Sequence, residues 1–157
     1  MNELYEQIET LLKSGGRREV VLEQSLRLVL AKLHSETGTI HLLDPEIQLL
    51  YLVTQVGLPP AMLDAVKTIP VGKGIAGQAV ARNQPVTNCN LQTDPGGVAR
   101  PGARQTGSGG ALCVPLRHGE TIVGTLDVGT VRACEYSPDE TRLLEEVGRQ
   151  LGAYLQT

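Results

Sequence analysis

The spacing of apolar residues changes its period twice along this chain of 157 residues, and that change limits the folds that the chain can adopt. Residues 2–13 and 18–34 carry apolar side chains every three or four positions, which predicts two amphipathic helices. In the middle of the chain the apolar residues alternate with polar ones or form short β-rich runs, which predicts strands. A helical pattern returns at the end, where Ser137 and Glu140 form a capping box around Pro138 at the first helical position.

The predicted elements follow the order α-α-β-β-α-α-β-β-β-α, with helices at both ends and strands in the middle. This separation favours an antiparallel sheet over a doubly wound parallel sheet, in which strands and helices alternate. We therefore predict an α+β fold with a central antiparallel sheet and helices on one face. The length predicts a single domain over residues 1–157. The predicted strands are 39–42, 49–56, 85–87, 111–117 and 121–130, and the predicted short internal helices are 61–67 and 74–82.

Charge and cysteine content exclude several classes of protein. The formal net charge of −3 and the absence of a basic stripe argue against a nucleic-acid partner. No apolar run approaches the roughly 20 residues that cross a bilayer, so no membrane partner is expected. The N-terminus lacks the basic start of a signal peptide. Cys89, Cys113 and Cys134 form no CxxC pair, so we expect a soluble protein of the reducing cytoplasm.

Alternation within the strands predicts a cluster of polar side chains on one face of the sheet. Successive side chains of a strand point to opposite faces, so residues two positions apart share a face. In three strands one such face is polar or small, while the other consists of Ile, Leu and Val that suit packing under helices. The residues expected on the polar face are Thr39, His41, Ala111, Cys113, Thr125 and Asp127.

The chemistry of this polar face is left open by the sequence. A buried carboxylate needs a partner, so His41 and Asp127 either pair with each other or both meet a ligand. A satisfied polar pair on a solvated sheet face fits the pattern equally well. His41, Cys113 and Asp127 are also potential metal ligands, although no spacing motif supports a metal site. Haem ligation by His41 or His118 is equally without a supporting motif.

Short stretches along the chain carry a resemblance through their order and spacing. They are IHLLD at 40–44, IPVGKGIAG at 69–77, QPV at 84–86, ALCVPLR at 111–117, IVGTLDV at 122–128 and YSPDE at 136–140. Together they resemble the GAF domain family over roughly residues 18–156, with residues 1–17 as an N-terminal helix and linker. The resemblance implies a GAF/profilin-like fold, with the N- and C-terminal helices on one face of the sheet and a ligand pocket on the other.

The family resemblance also implies a function. GAF domains bind cyclic nucleotides, bilins, haem, amino acids or other small molecules, and many of them dimerise. We therefore expect a sensory or regulatory module of signal transduction that binds a small molecule of unknown identity. No cofactor is identified. The terminal helices are expected to signal to a second copy in a homodimer or to a partner protein. Leu144, Val147, Leu151 and Tyr154 have the spacing of a helical seam, but they could equally pack against the sheet.

Further pocket candidates come from the middle of the chain. Residues 92–110 contain six Gly and two Pro, and a segment of this composition is predicted to act as a lid over the sheet. Asn90, Asp94 and Arg104 are the polar candidates in and beside this segment, and Ile75 is the candidate from the helix at 74–82. The GKGIAG stretch at 72–77 matches GxGxxG, but without a βαβ unit it predicts a turn and a helix start.

Two alternatives to a sensory module remain. One enzymatic branch of the family, the reductases of free methionine sulfoxide, uses reactive cysteines. The corresponding positions here are Val66, Ala76 and a residue near Arg104, and none is a cysteine, so this activity is not expected. A redox or hydrolytic enzyme using Cys113, His41 and Asp127 is the second form of the enzyme hypothesis. A structural dimerisation module without a ligand is the other alternative.

Overall fold

The computed structural model describes residues 2–89, 109–131 and 136–156. The predicted boundaries agree with the observed ones to within two residues. The short strand Thr68–Pro70 is not among the predicted ones, because three residues are too few to show alternation. The elements are α1 (Asn2–Leu12), α2 (Arg18–Lys32), β1 (Thr37–Asp44), β2 (Leu49–Val56), a 3₁₀ turn (Pro60–Met62), α3 (Leu63–Val66), β3 (Thr68–Pro70), α4 (Gly74–Arg82), β4 (Val86–Cys89), β5 (Gly110–His118), β6 (Thr121–Thr130) and α5 (Pro138–Leu155).

The six described strands form one antiparallel sheet in the order β3-β2-β1-β6-β5-β4. The first and last strands of the chain, β1 and β6, therefore lie side by side at the centre. This arrangement confirms the predicted α+β class and the antiparallel sheet. It also brings residues 39–41 beside residues 125–127, although more than eighty positions separate them in the sequence.

One face of the sheet is covered by the terminal helices. Helix α2 packs on β1 and β2, α5 packs on β5 and β6, and α1 lies against both helices. The core between these layers includes Ile40 and Leu126 from the central strands and Leu22, Leu26 and Leu144 from the helices, all with no exposed surface. The helices therefore shield the aliphatic face that strand alternation predicted.

Helix α5 begins as its sequence predicts. The Ser137 side chain accepts a hydrogen bond from the Glu140 backbone N–H at 3.0 Å, and the Glu140 side chain accepts one from the Ser137 N–H at 2.8 Å. Both partners satisfy amide groups that have no acceptor within the helix.

Removing this cap has an expected cost in stability. We predict that Ser137→Ala lowers the free energy of unfolding by about 1 kcal/mol, because one N-terminal amide loses its acceptor. Chemical denaturation measures the difference, and Ser137→Asp, which keeps an acceptor, serves as the control. A loss of equal size in both variants would contradict the capping explanation.

The apolar residues of α5 pack within this chain. Leu144, Val147 and Leu151 have no exposed surface and belong to the core under the sheet, and Tyr154 packs partly against the same core. Packing against the sheet therefore accounts for the spacing of apolar residues in α5, and a contact between two copies is not needed to explain it. Helix α5 has 18 residues, and none of the helices in the described ranges is both long and apolar enough to span a membrane.

Candidate functional site

Register between the central strands aligns the predicted polar residues in two rows across the sheet. In the first row Thr39 of β1 lies opposite Asp127 of β6, which lies opposite Cys113 of β5. In the second row His41 lies opposite Thr125. Directly opposed residues have Cβ atoms about 5 Å apart, so these five side chains form one contiguous surface, here called the polar face.

Helix α4 covers part of the polar face. It packs on β5 and β6 from the side opposite the terminal helices. Ile75 of α4 is 6% exposed and belongs to a cluster that also contains Ala111 and Cys113. The predicted candidates Ile75, Ala111 and Cys113 are therefore brought together at the junction of α4 with the sheet.

The glycine stretch before α4 is explained by backbone geometry. Gly72 and Gly74 have φ of +92° and +64°, values that L-residues with side chains rarely adopt. At Gly77, an added Cβ would lie 2.5 Å from the Pro70 carbonyl oxygen. The stretch that matches GxGxxG is thus a turn followed by the start of a helix, as the sequence predicted.

His41 is held by a backbone carbonyl and not by Asp127. Its Nε2 atom lies 2.8 Å from the carbonyl oxygen of Val66, at the end of α3. Because a carbonyl only accepts, Nε2 carries the proton, and Nδ1 of the neutral ring is an acceptor. Burial lowers the pKa of His41, which favours this neutral form. The His41–Asp127 pair, one of the two predicted alternatives, is not formed, since Nδ1 has no partner.

Several polar atoms of this face are buried without a satisfactory partner. Thr39 Oγ1 and His41 Nδ1 have no hydrogen bond, although the residues are only 7% and 1% exposed. The Thr125 hydroxyl has no nitrogen or oxygen partner and interacts only with the Cys113 sulfur, a weak acceptor. Each such group costs about 1–3 kcal/mol if nothing satisfies it. Their concentration on one face marks it as the candidate site, where ordered water or a bound molecule would supply the missing partners.

Asp127 lies at the centre of the first row. Its residue surface is partly accessible, but the protein atoms packed around the carboxyl remove enough water to raise its pKa to about 7. The carboxyl group therefore changes charge near neutral pH, and it has neither a salt bridge nor a charged partner among the described residues.

Cys113 has the properties of a structural thiol. It is completely buried and not in a disulfide. Burial and the nearby Asp127 carboxylate both raise its pKa, and the Thr125 hydroxyl opposes them weakly. The thiolate, which is the nucleophilic form, is therefore disfavoured. Within the described ranges no group of three or more His, Cys, Asp or Glu is arranged to hold a metal ion.

Three predicted candidates, Asn90, Asp94 and Arg104, lie outside the described residues, as does the predicted lid up to residue 108. One functional group was not anticipated from the sequence, the carbonyl of Val66 that orients His41. No sequence signal indicates a backbone carbonyl, because every residue type has one. Asn88 of β4, opposite Ala111 and 8% exposed, adds a further polar side chain beside the first row.

Comparison with known proteins identifies the family. Residues 17–156 match the sequence pattern of the GAF domain, and the chain belongs to the GAF domain family. This confirms the resemblance carried by the short stretches between residues 40 and 140. No curated protein matches the chain significantly.

Solved structures with the same fold have different functions. A GAF domain of a phosphoenolpyruvate-protein phosphotransferase from Coxiella burnetii is 16% identical, with 98% of this chain and 91% of that chain covered and a TM-score of 0.83. The free methionine-R-sulfoxide reductase of Neisseria meningitidis, solved with its substrate, is 20% identical, with 99% and 87% covered and a TM-score of 0.81. At such low identity these similarities establish the fold alone, and the fold hosts both regulatory domains and enzymes.

Proposed function

We propose that this GAF domain is a sensory or regulatory module that binds a small molecule on the polar face of its sheet. The observation that carries the proposal is the pair of buried atoms without partners, Thr39 Oγ1 and His41 Nδ1, on adjacent rows of that face. Leaving both unsatisfied is costly, and a ligand removes the cost when it binds. Asp127 and Thr125 complete the set of polar groups that such a ligand meets.

Strand alternation provides a route from the ligand to the helices. Leu126 lies between Thr125 and Asp127, and Ile40 lies between Thr39 and His41, so both apolar residues point to the opposite face. There they pack in the core formed with α2 and α5. A ligand that moves β1 or β6 therefore shifts residues that directly support the terminal helices. This favours the helices as the output element, which then biases a second copy or a partner protein.

An enzymatic role is less well supported by the chemistry of the site. The Cys113 thiol is buried with a raised pKa. His41 directs one nitrogen to Val66, and the other has no partner among the described residues. No nucleophile is thus activated by an adjacent base among the described residues. The similarity to methionine sulfoxide reductases remains one of fold, and we propose binding without turnover.

The proposal is tested by comparing native and denaturing mass spectra of the freshly purified protein. We expect a non-covalent added mass, and we expect Thr39→Val to weaken its retention about five- to tenfold. Valine has nearly the shape of threonine but lacks the hydroxyl, and one hydrogen bond contributes about 1 kcal/mol. Thr121→Val, at an exposed position of β6, is the matched control.

The absence of a bound mass would support a different explanation of the unpaired hydroxyl. If no mass is bound and Thr39→Val simply stabilises the protein, the hydroxyl is an unsatisfied group without a ligand. The structural dimerisation module would then replace the sensory module as the better explanation. Native spectra of the same samples report the oligomeric state.

A further inference from the structure

The donor and acceptor inventory of the polar face specifies what a ligand must offer. We infer that the site takes a small aliphatic amine in its ammonium form, bound between the Asp127 carboxylate, His41 Nδ1 and Thr39 Oγ1. This inference names the ligand class of the proposed function and depends on it. An ammonium group carries three donors and no acceptor, so it complements the carboxylate and imidazole acceptors, and the Thr39 hydroxyl oxygen accepts its third hydrogen.

His41 is the most restrictive member of the set. Its Nε2–H is used by the Val66 carbonyl at 2.8 Å, so only the acceptor Nδ1 is available to a ligand. The residue is 1% exposed, which leaves little contact with bulk water. A ligand carboxylate or phosphate offers no hydrogen at this position, whereas an N–H does.

Charge on the polar face favours the same ligand class. Among the described residues, the titratable groups that face Asp127 are His41 from β1 and Cys113 from β5, and burial favours the neutral form of both. Helix α4 contributes Ile75, Ala76 and Ala79, which are buried and apolar. From the end of α3 comes the Val66 carbonyl, another acceptor. The donors without partners on this face are the neutral hydroxyls of Thr39 and Thr125. An anion would therefore meet the Asp127 carboxylate with no described positive charge to offset the repulsion.

No described cation forms an ion pair with Asp127. Lys67 and Lys73 are exposed. The Arg117 guanidinium is held by the side chain and backbone oxygens of Asn83, at 2.8 and 2.7 Å, beyond the end of α4. The Asp127 carboxylate thus has no described counter-ion, and a ligand ammonium would supply one.

The apolar surroundings indicate an aliphatic ligand. The cluster beside the polar face contains Leu50, Ile75, Val86, Ala111 and Cys113, all without an aromatic ring. The chain has no Trp or Phe, and stacking on an aromatic side chain is a main source of affinity for nucleobases. A short hydrocarbon chain packs well against such a surface, while a purine gains less.

The test uses three probes with the same hydrocarbon chain. Butylamine, butan-1-ol and pentanoate share a butyl chain and differ in the charge and hydrogen-bonding capacity of the head group. Each is titrated at pH 8 into the ¹⁵N-labelled, extensively dialysed protein, and amide shifts of β1 and β6 are followed by NMR. At this pH the amine is protonated and Asp127 is ionised. We expect butylamine to bind at least about tenfold more tightly than the other two probes.

Two variants test whether the preference for butylamine depends on Asp127. Asp127→Asn keeps the shape of the side chain and is expected to weaken butylamine binding at least about tenfold, because a charge-assisted hydrogen bond is lost. Glu120→Gln removes one charge at an exposed turn and is expected to leave binding unchanged. Between pH 8 and pH 6 the wild-type protein should lose affinity as Asp127 becomes protonated, whereas Asp127→Asn should not.

Other outcomes overturn the inference. Preferential binding of pentanoate, or equal binding of all three probes, would contradict the ammonium assignment while leaving a small-molecule site intact. Absence of butylamine binding would also contradict it and would leave ordered water as the partner of the buried atoms. If, in addition, no molecule co-purifies, both this inference and the proposed function fail.

Discussion

Gly152→Ala is expected to lower the free energy of unfolding by about 3 kcal/mol, the upper end of the usual range for overpacking. A Cβ at position 152 would lie 2.1 Å from the carbonyl oxygen of Arg117 and 2.6 Å from its carbonyl carbon. Both atoms belong to the backbone of β5, so no side-chain rotation relieves the overlap. Helix α5 must therefore move away from the sheet or lose its last turn.

Gly148, one turn earlier in the same helix, is the matched control. Its added Cβ would meet its nearest atoms at 3.5 Å, an ordinary contact distance. Gly148→Ala is expected to be neutral or to stabilise the protein by up to about 1 kcal/mol, because alanine favours the helix. Equilibrium denaturation of the two variants measures the difference. Equal effects of the two substitutions would contradict the close approach of α5 to β5 at Arg117.

Asp127→Asn is expected to raise the free energy of unfolding at pH 8 by up to roughly 4 kcal/mol, measured on protein free of ligand. In the folded protein burial raises the pKa of Asp127 from 3.8 to about 7. A tenfold change in proton affinity corresponds to about 1.4 kcal/mol. Above pH 7 the wild-type protein holds an ionised carboxyl in surroundings that solvate it poorly, and asparagine removes this cost.

The dependence on pH identifies the carboxyl as the cause. Between about pH 4 and pH 7 the folded state binds more protons at Asp127 than the unfolded state does, so its contribution to stability falls as the pH rises. The stability difference between wild type and Asp127→Asn should therefore be small at pH 3, grow up to pH 7 and stay constant above. A stability difference between wild type and Asp127→Asn that is independent of pH would refute the raised pKa.

The two expected effects of Asp127→Asn, on stability and on butylamine binding, concern a trade between stability and binding. The ionised carboxyl of Asp127 lowers the stability of the ligand-free protein near neutral pH. A positively charged ligand would offset this cost when it binds. Asp127→Asn is expected to gain stability and lose butylamine affinity, so weaker binding cannot be attributed to unfolding. Regions that carry function are often those where a protein departs from its most stable composition.

Local patterns in the sequence were sufficient for the faces of the central strands and for every described helix and strand except β3. The capping box at Ser137 and the helix at 74–82 depend on neighbours within a few positions, so their sequences specify them directly. Alternation correctly assigned Ile40 and Leu126 to the core under the helices. It also placed Thr39 and Asp127 on one face, although which strands are adjacent was not evident from the strands themselves.

Contacts between residues that are distant in the sequence determined the strand pairing, the partner of His41 and the packing of α5. The pairing of β1 with β6 determines that His41 faces Thr125, and the position of α3 determines that the His41 ring bonds to the Val66 carbonyl. The apolar residues of α5 had two potential uses, and packing against the sheet resolved which one applies.

The sequence by itself determined the family, the order of the elements and the polar residues of the central strands, because these depend on short-range spacing. Only the tertiary structure decided which polar atoms are left without partners. That property arises where a buried side chain from one strand meets groups from several other elements, and it depends on distances that spacing along the chain does not contain. Thr39 Oγ1 and His41 Nδ1 lack partners for this reason, and they define the proposed ligand site.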